Sequence, residues 1–225
     1  MVGWGVRLGI LFLVLAAGLT ALALVGGGGS LLWLWPAASF AVVALGYLGL
    51  GSRVFGKRAD GTLPLRTRLG MFPYLVLAWV IWQGLRRTRV PPYSLVAPGI
   101  YLSRRLKPEE LPPEVELIVD MTSEFETSMA WRAGRRYRAL PTLDAHVPAD
   151  DEFALAVEEV AASSEVVLVH CAAGLGRSAS FVAAVLIRRG LAGDFAEAER
   201  ILRAQRPIRI GRAQRELVLR VAQRA

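Results

Sequence analysis

The chain has 225 residues, 54% of them hydrophobic, with a mean hydropathy of +0.40 and a formal net charge of +8. That is too apolar for a single soluble domain, so membrane segments are sought first. The single cysteine excludes an intramolecular disulfide, and a lone chemically active thiol favours a reducing compartment and a cytosol-facing domain.

Leu8 to Val25 is an uncharged apolar run, and Leu31 to Leu50 is a second. Each is close to the ~20 residues that cross a bilayer core. Gly26-Gly27-Gly28-Gly29-Ser30 joins them as a short turn, so the pair reads as a transmembrane helical hairpin over 1–52. A second span, and the lack of a small-x-small cleavage site followed by polar sequence, argue against a signal peptide. Arg53, Lys57, Arg58, Arg66 and Arg68 follow, opposed only by Asp60. By the positive-inside rule this collar is cytoplasmic, and Arg7 puts the N-terminus on the same side. Residues 1–85 carry net +5 and residues 86–225 net +3, so the basic excess is mostly juxtamembrane. It points to anionic lipid as a partner and not to nucleic acid. Nearly all the basic residues are arginines, a compositional hint of a bacterial source and an inner-membrane location. Met71 to Trp82 is apolar but short for a span and has basic clusters on both sides. Within the 53–90 juxtamembrane segment it reads as an interfacial or re-entrant helix.

From Val90-Pro91-Pro92 onward the pattern changes. Ser94 to Ser103 reads as a strand pair turning at Pro98-Gly99. A helical turn follows at Pro108 to Leu111, and Val115 to Met121 has the aliphatic density of a buried parallel strand. A short helix over Ser128 to Gly134 and a strand over Tyr137 to Leu140 come next. Asp150 to Ser163 has acids in its first turn and Phe153, Val157 and Val160 on one face, as a helix requires. Val166 to Val169 is the central strand and Ser178 to Arg189 a helix ended by Gly190. A helix capped by Asp194 runs to Gln205, and Ala213 to Gln223 closes the chain. Strands alternating with helices predict an α/β fold over 91–225, with a central mostly parallel sheet flanked by helices.

The chemistry gathers at Val166 to Ser180, VVLVHCAAGLGRSAS. A strand stops at His170-Cys171, a small-residue loop follows, and Arg177-Ser178 open an apolar helix. Helix N-termini and nearby cations lower a thiol's pKa from about 8.5 to roughly 3.5–7.5, and the thiolate is the nucleophile. The same features suit a phosphate. Amides of Ala172, Ala173, Gly174, Leu175 and Gly176 can form a nest around an anion. Arg177 can fork onto two of its oxygens, and Ser178 can donate to the thiolate.

His-Cys-x5-Arg-Ser resembles the signature of the cysteine-dependent protein tyrosine phosphatase superfamily, in its dual-specificity branch. Rhodanese-type sulfur transfer and arsenate reduction also place a cysteine in an anion loop and remain as alternatives. The resemblance covers about residues 94–220. It implies a phosphoric monoester hydrolase working through a thiophosphoryl enzyme at Cys171, with Arg177 holding the phosphoryl oxygens. It also implies that His170 is a buried, hydrogen-bonded orienting residue. Asp144 lies in Leu140-Pro141-Thr142-Leu143-Asp144-Ala145-His146-Val147-Pro148, after a strand, where a mobile proton donor belongs. Asp150 and Asp151 are rivals that look like ordinary first-turn acids, and Asp120 reads as structural. His146 is a possible substrate contact. Gln214 reads as an exposed helix residue, with water positioning as the alternative. No Cys/His cluster suggests a metal, and no cofactor is expected.

Ser123-Glu124-Phe125-Glu126-Thr127 is similar to the Glu-Tyr-Glu-Thr segment of the mitochondrial phosphatidylglycerophosphate phosphatase type, as is Thr142-Leu143-Asp144 to its acid loop. Ala172, Ala173 and Leu175 stand where phosphoinositide phosphatases often carry lysines, which favours a monophosphate. The first reading is therefore a membrane-anchored phosphatase of phosphotyrosine, phosphoserine and phosphothreonine in proteins. The alternative is a lipid phosphate phosphatase with a phosphatidylglycerophosphate-like substrate. The breadth of the family favours the protein substrate, and the anchor and collar favour the lipid.

Overall fold

The computed structural model describes residues 4–222. Helix α1 (Trp4–Val25) carries no charge beyond Arg7 and buries little except Gly5, Gly9, Ala16 and Ala23. The connection is not free. Ser30 Oγ donates to the Ala23 carbonyl at 2.7 Å, and Gly28–Trp33 forms a 3-10 turn. Helix α2 (Leu34–Leu45) continues through a wide turn at Gly46–Leu50 and a 3-10 turn at Gly51–Phe55. Both Trp4–Val25 and Gly28–Phe55 are long and apolar enough to cross a membrane, with mean hydropathies of 2.7 and 1.8.

A short helix, α3 (Leu65–Gly70), leads into α4 (Phe72–Arg86), which spans about 22 Å at helical rise. Its Phe72 ring stacks on Trp35 of α2, and Trp35 Nε1 donates to the Leu69 carbonyl. Tyr74, Ala78 and Trp82 face inward, whereas Phe72, Val76, Trp79, Val80 and Ile81 are exposed. At its far end Trp82 Nε1 donates to the Arg105 carbonyl, and Arg86 forks onto Glu110 at 2.7 and 3.2 Å.

Strands β1 (Tyr93–Ala97) and β2 (Ile100–Arg104) form an antiparallel hairpin through Gly99, whose φ of 71° suits the turn. Then come β3 (Leu117–Thr122), a single-turn helix α5 (Met129–Arg132), β4 (Arg136–Thr142) and α6 (Asp150–Ala162). Strand β5 (Val167–Cys171) leads into α7 (Arg177–Arg188), followed by α8 (Phe195–Gln205) and α9 (Arg212–Ala222). Asp194 caps α8 by accepting from the Glu197 amide at 2.8 Å. Gln223, the expected end of the last helix, lies outside the described residues. The sheet order is β1-β2-β5-β3-β4, parallel except for the first pair, so the expected mostly parallel α/β sheet is present.

Strand alternation decides what each face sees. Val167, Val169 and Cys171 point to the core shared with α6 to α9. Leu168 points to the opposite face, where Ile118, Trp131, Leu106 and Val115 pack. Asp120 and His170, paired in register, belong to that second face. A third core joins the N-terminal helices to this unit. Val43, Tyr47, Phe55, Leu63, Tyr74 and Trp82 pack with Phe125 and Leu143.

Candidate active site

Cys171 ends β5 and is 2% exposed at the floor of the loop. The Gly174 amide donates to its Sγ at 3.2 Å, and the Ser178 hydroxyl lies 3.3 Å from it. Gly174 has a φ of 71°, and a Cβ there would meet Ser103 C and Arg104 N at 2.5 Å. Only glycine satisfies both the backbone angle and the approach of β2. The loop is clamped from outside as well. Arg105 N donates to the Ala172 carbonyl at 3.2 Å and Arg209 N to the Leu175 carbonyl at 2.7 Å. Helix α7 starts at Arg177 directly after the loop, so its unpaired amides and dipole end lie against the loop that holds Cys171.

Arg177 is buried, and its fork is fixed by three partners. Nη2 and Nη1 donate to Glu124 Oε1 and Oε2 at 3.0 and 3.2 Å, and Nη1 also donates to the Thr142 carbonyl at 2.7 Å and the Met121 carbonyl at 3.3 Å. Burial opposes the guanidinium charge, but Glu124, Asp144 and Cys171 outweigh it and hold the group firmly protonated. Its Nε lies 3.5 Å from Asp144 Oδ1. In the sequence Glu124 is marked only by its place in a family-like segment. The signal that could have marked it is a buried arginine's need for a carboxylate, which no local spacing reveals.

Asp144 follows β4 and its side chain is 66% exposed, as a donor at a pocket mouth needs. The next residue, Ala145, has a φ of 58°, the only positive φ outside glycine among the described residues. Strained backbone of this kind needs surrounding structure to hold it. His146 supplies part of that support. It is half-buried, edge-on to Tyr47 at 5.4 Å, and directly under Gly5 of α1, where any Cβ would overlap its ring. Burial lowers its pKa against the pull of Asp144.

His170 is fully buried, edge-on to Trp131 at 4.8 Å, with burial pushing its pKa down to about 4 despite Asp120. It is therefore a neutral imidazole. Its Nε2 is 3.6 Å from Asp120 Oδ1, beyond a hydrogen bond, so Asp120 acts on the ring through charge and proximity alone. Asp120 is the hub beneath it. Its Oδ2 accepts from Lys57 at 2.7 Å, Tyr137 at 2.7 Å and Thr127 at 2.9 Å, and its Oδ1 from Thr122 N and Oγ1. Burial alone would raise this carboxyl, but the Lys57 charge and the hydrogen bonds from Lys57 and Thr122 hold it far below the usual range.

Gln214 corrects a second expectation. It is buried, not exposed, because α9 folds back over the loop. Its Oε1 accepts from the Gly211 amide at 2.9 Å, and its Nε2 reaches the His146 carbonyl at 3.4 Å. Asp150 and Asp151 sit in the first turn of α6, and Asp150 pairs with Arg220. One pocket of about 640 Å³ brings together Cys171, Ala173, Leu175, Gly176, Asp144 and His146. Its far wall is formed by Gln214, a candidate for water positioning, and by residues the sequence did not mark: the exposed Arg209 and Arg212, and Trp4, Gly5 and Val6 from the first turns of α1. A thiol that accepts from an amide, a fixed guanidinium and an exposed carboxyl at one site can attack a phosphoryl group, stabilise its charge and protonate what leaves.

A family model described as PTP-SAK, the Swiss Army Knife protein DSP-PTPase phosphatase domain, matches residues 103–224. No curated protein sequence matches the chain. Among solved structures, PTPMT1 is similar at 26% identity and a TM-score of 0.52, over 59% of this chain and 94% of that one. PTPMT1 in complex with PI(5)P matches at 26% identity and 0.52, over 60% and 96%. Tk-PTP in its active form matches at 24% identity and 0.53, over 60% and 99%.

Proposed function

The chain belongs to the DSP-PTPase phosphatase family and is a phosphoric monoester hydrolase; on that premise we propose that it removes the phosphate from a lipid phosphomonoester at a membrane surface. The observation that carries this reading is the pocket wall at Trp4, Gly5 and Val6. These residues open the first apolar helix, so the mouth over Cys171 lies where the hairpin meets the phosphatase unit. A substrate anchored in the bilayer would meet the thiol without leaving it. The likeness to PTPMT1, whose structure has been obtained with PI(5)P, supports a lipid headgroup. Arg209 and Arg212 at the rim suit a second anionic group on that headgroup.

On this reading the chain comprises a membrane hairpin (1–52), a basic juxtamembrane segment with an interfacial or re-entrant helix (53–90) and a catalytic unit (91–225). On this reading the remaining basic collar residues favour a catalytic unit on the cytoplasmic side. In the first step the Cys171 thiolate attacks phosphorus, an S–P bond forms, and the P–O bond to the lipid breaks. Asp144 gives its proton to the departing oxygen. Amides of residues 172–177 and Arg177 hold the three phosphoryl oxygens, and Ser178 steadies the sulfur as it later leaves. Asp144, now a carboxylate, takes a proton from the water that attacks phosphorus, which frees phosphate and the thiolate. Gln214, on the far side of the pocket, is placed to orient that water.

Purified protein in bilayers is assayed for phosphate release from phosphatidylglycerophosphate and from a phosphotyrosine peptide. The lipid is expected to turn over faster, and Gly5→Leu, which displaces His146, is expected to lower lipid turnover. Robust peptide turnover with none of the lipid would instead establish a phosphoprotein substrate, the first reading of the sequence.

A further inference from the structure

The matched phosphatase domain begins at residue 103, yet the buried hub beneath its catalytic loop is completed from outside it. Lys57 lies in the turn that follows the apolar helices. Its ammonium donates to Asp120 Oδ2 at 2.7 Å, the Thr122 carbonyl at 2.9 Å and Thr122 Oγ1 at 3.1 Å. Its side chain is 0% exposed. A solvated collar residue would not be drawn into a protein interior, because removing an ammonium from water is costly unless it is paired and hydrogen-bonded.

The rest of the turn is docked on the same loop. Thr127 N donates to the Gly61 carbonyl at 2.9 Å, and Leu63 N donates to Glu126 Oε1 at 3.2 Å. Gly61 has a φ of 80°, and a Cβ there would meet the Tyr137 hydroxyl at 2.5 Å and Thr127 Cβ at 2.8 Å. The turn therefore fits against 120–127 with a glycine where nothing larger enters. That loop leads to the catalytic machinery along two routes. Asp120 faces His170, the residue before Cys171. Glu124 holds the Arg177 fork.

We propose that Lys57, with the 57–63 turn that carries it, is a positioning element for the catalytic loop, setting His170 through Asp120 and Arg177 through the 120–127 segment. The catalytic geometry is then complete only when the segment following the membrane helices is docked, which ties phosphatase competence to the anchor. This rests on the assignment of Cys171 and Arg177 as the phosphoryl-handling groups.

The test uses the full chain in micelles with p-nitrophenyl phosphate, a soluble substrate indifferent to membrane targeting. Lys57→Met is expected to lower kcat about 100-fold and to raise the inhibition constant for inorganic phosphate about tenfold, a change in transition-state and anion binding. The double variant Lys57→Met/Asp120→Asn removes both charges, so no buried ion is stranded. It is expected to melt near the wild-type temperature yet to stay about tenfold below it in kcat, because the turn is no longer tied. A folded Lys57→Met with kcat and phosphate inhibition within about threefold of wild type would overturn the proposal. So would a double variant at wild-type kcat. Cys171→Ser is run alongside. Activity surviving in that variant would count against the site assignment, whereas activity lost there but retained in the Lys57 variants counts only against Lys57.

Discussion

Replacing Glu124 by alanine removes the carboxylate that holds the buried fork of Arg177. Two charge-assisted bonds, at 3.0 and 3.2 Å, disappear together. Stranding one partner of a buried pair costs roughly 3–5 kcal/mol. Here the Thr142 carbonyl at 2.7 Å and the Met121 carbonyl at 3.3 Å still accept from Nη1. The loss of stability should therefore fall at the lower end, about 3 kcal/mol. The catalytic loss has a separate origin. With only carbonyls left as anchors, the fork can rotate toward Thr142 and away from the phosphoryl oxygens. Misdirecting one donor of this kind costs about 2.7–4 kcal/mol of transition-state stabilisation, or roughly 10²–10³ in rate. The assay is kcat/KM for p-nitrophenyl phosphate at a temperature well below the variant's melting point, beside inhibition by inorganic phosphate. Glu124→Gln, which keeps the shape but not the charge, should fall between wild type and Glu124→Ala. A Glu124→Ala protein with kcat/KM and phosphate inhibition within about threefold of wild type would refute the idea that this carboxylate sets the arginine.

Asp144→Asn should slow hydrolysis of alkyl phosphates by about 10²–10⁴, with a much smaller effect on the first step for p-nitrophenyl phosphate, whose leaving group needs no proton; equal losses on both would remove Asp144 as the acid. Stability should fall with pH in a defined window. His170 is neutral when folded, with a pKa near 4 instead of the ordinary 6.5. The unfolded chain therefore binds a proton first as pH drops. Roughly 3 kcal/mol is lost between about pH 6.5 and 4, and protonation of Asp120 extends the loss below that. Thermal melts in micelles across this range check it, and a flat profile from 6.5 to 4 would contradict a buried neutral imidazole.

The catalytic loop was legible in the sequence because its determinants are local. Strand, glycines, arginine and helix start lie within a few residues of Cys171, and one strand's alternation sends Cys171 and His170 to opposite faces. The mostly parallel sheet followed from the same short-range patterns. What was not legible is set by contacts across the chain. Lys57 looked like one more collar cation because nothing near it in sequence marks Asp120 as its partner. Gln214 looked exposed because its burial depends on α9 folding over Gly176. Gly5 lies before the apolar run and carries no signal of its own, and only the packing of α1 on His146 gives it a role. Asp120, satisfied by Lys57, Thr122, Thr127 and Tyr137, faces His170 at 3.6 Å without a hydrogen bond, an arrangement that no short-range pattern marks.

The most direct test is a rapid quench of Asp144→Asn with p-nitrophenyl phosphate, followed by mass analysis of the peptide that contains Cys171. The good leaving group lets the first step proceed, and loss of the carboxylate slows attack by water, so the intermediate should accumulate. The expected result is a phosphoryl group on Cys171, approaching one per active site, and none in Cys171→Ser. Turnover that persists in Cys171→Ser, or a phosphoryl group found on any other side chain, would contradict it.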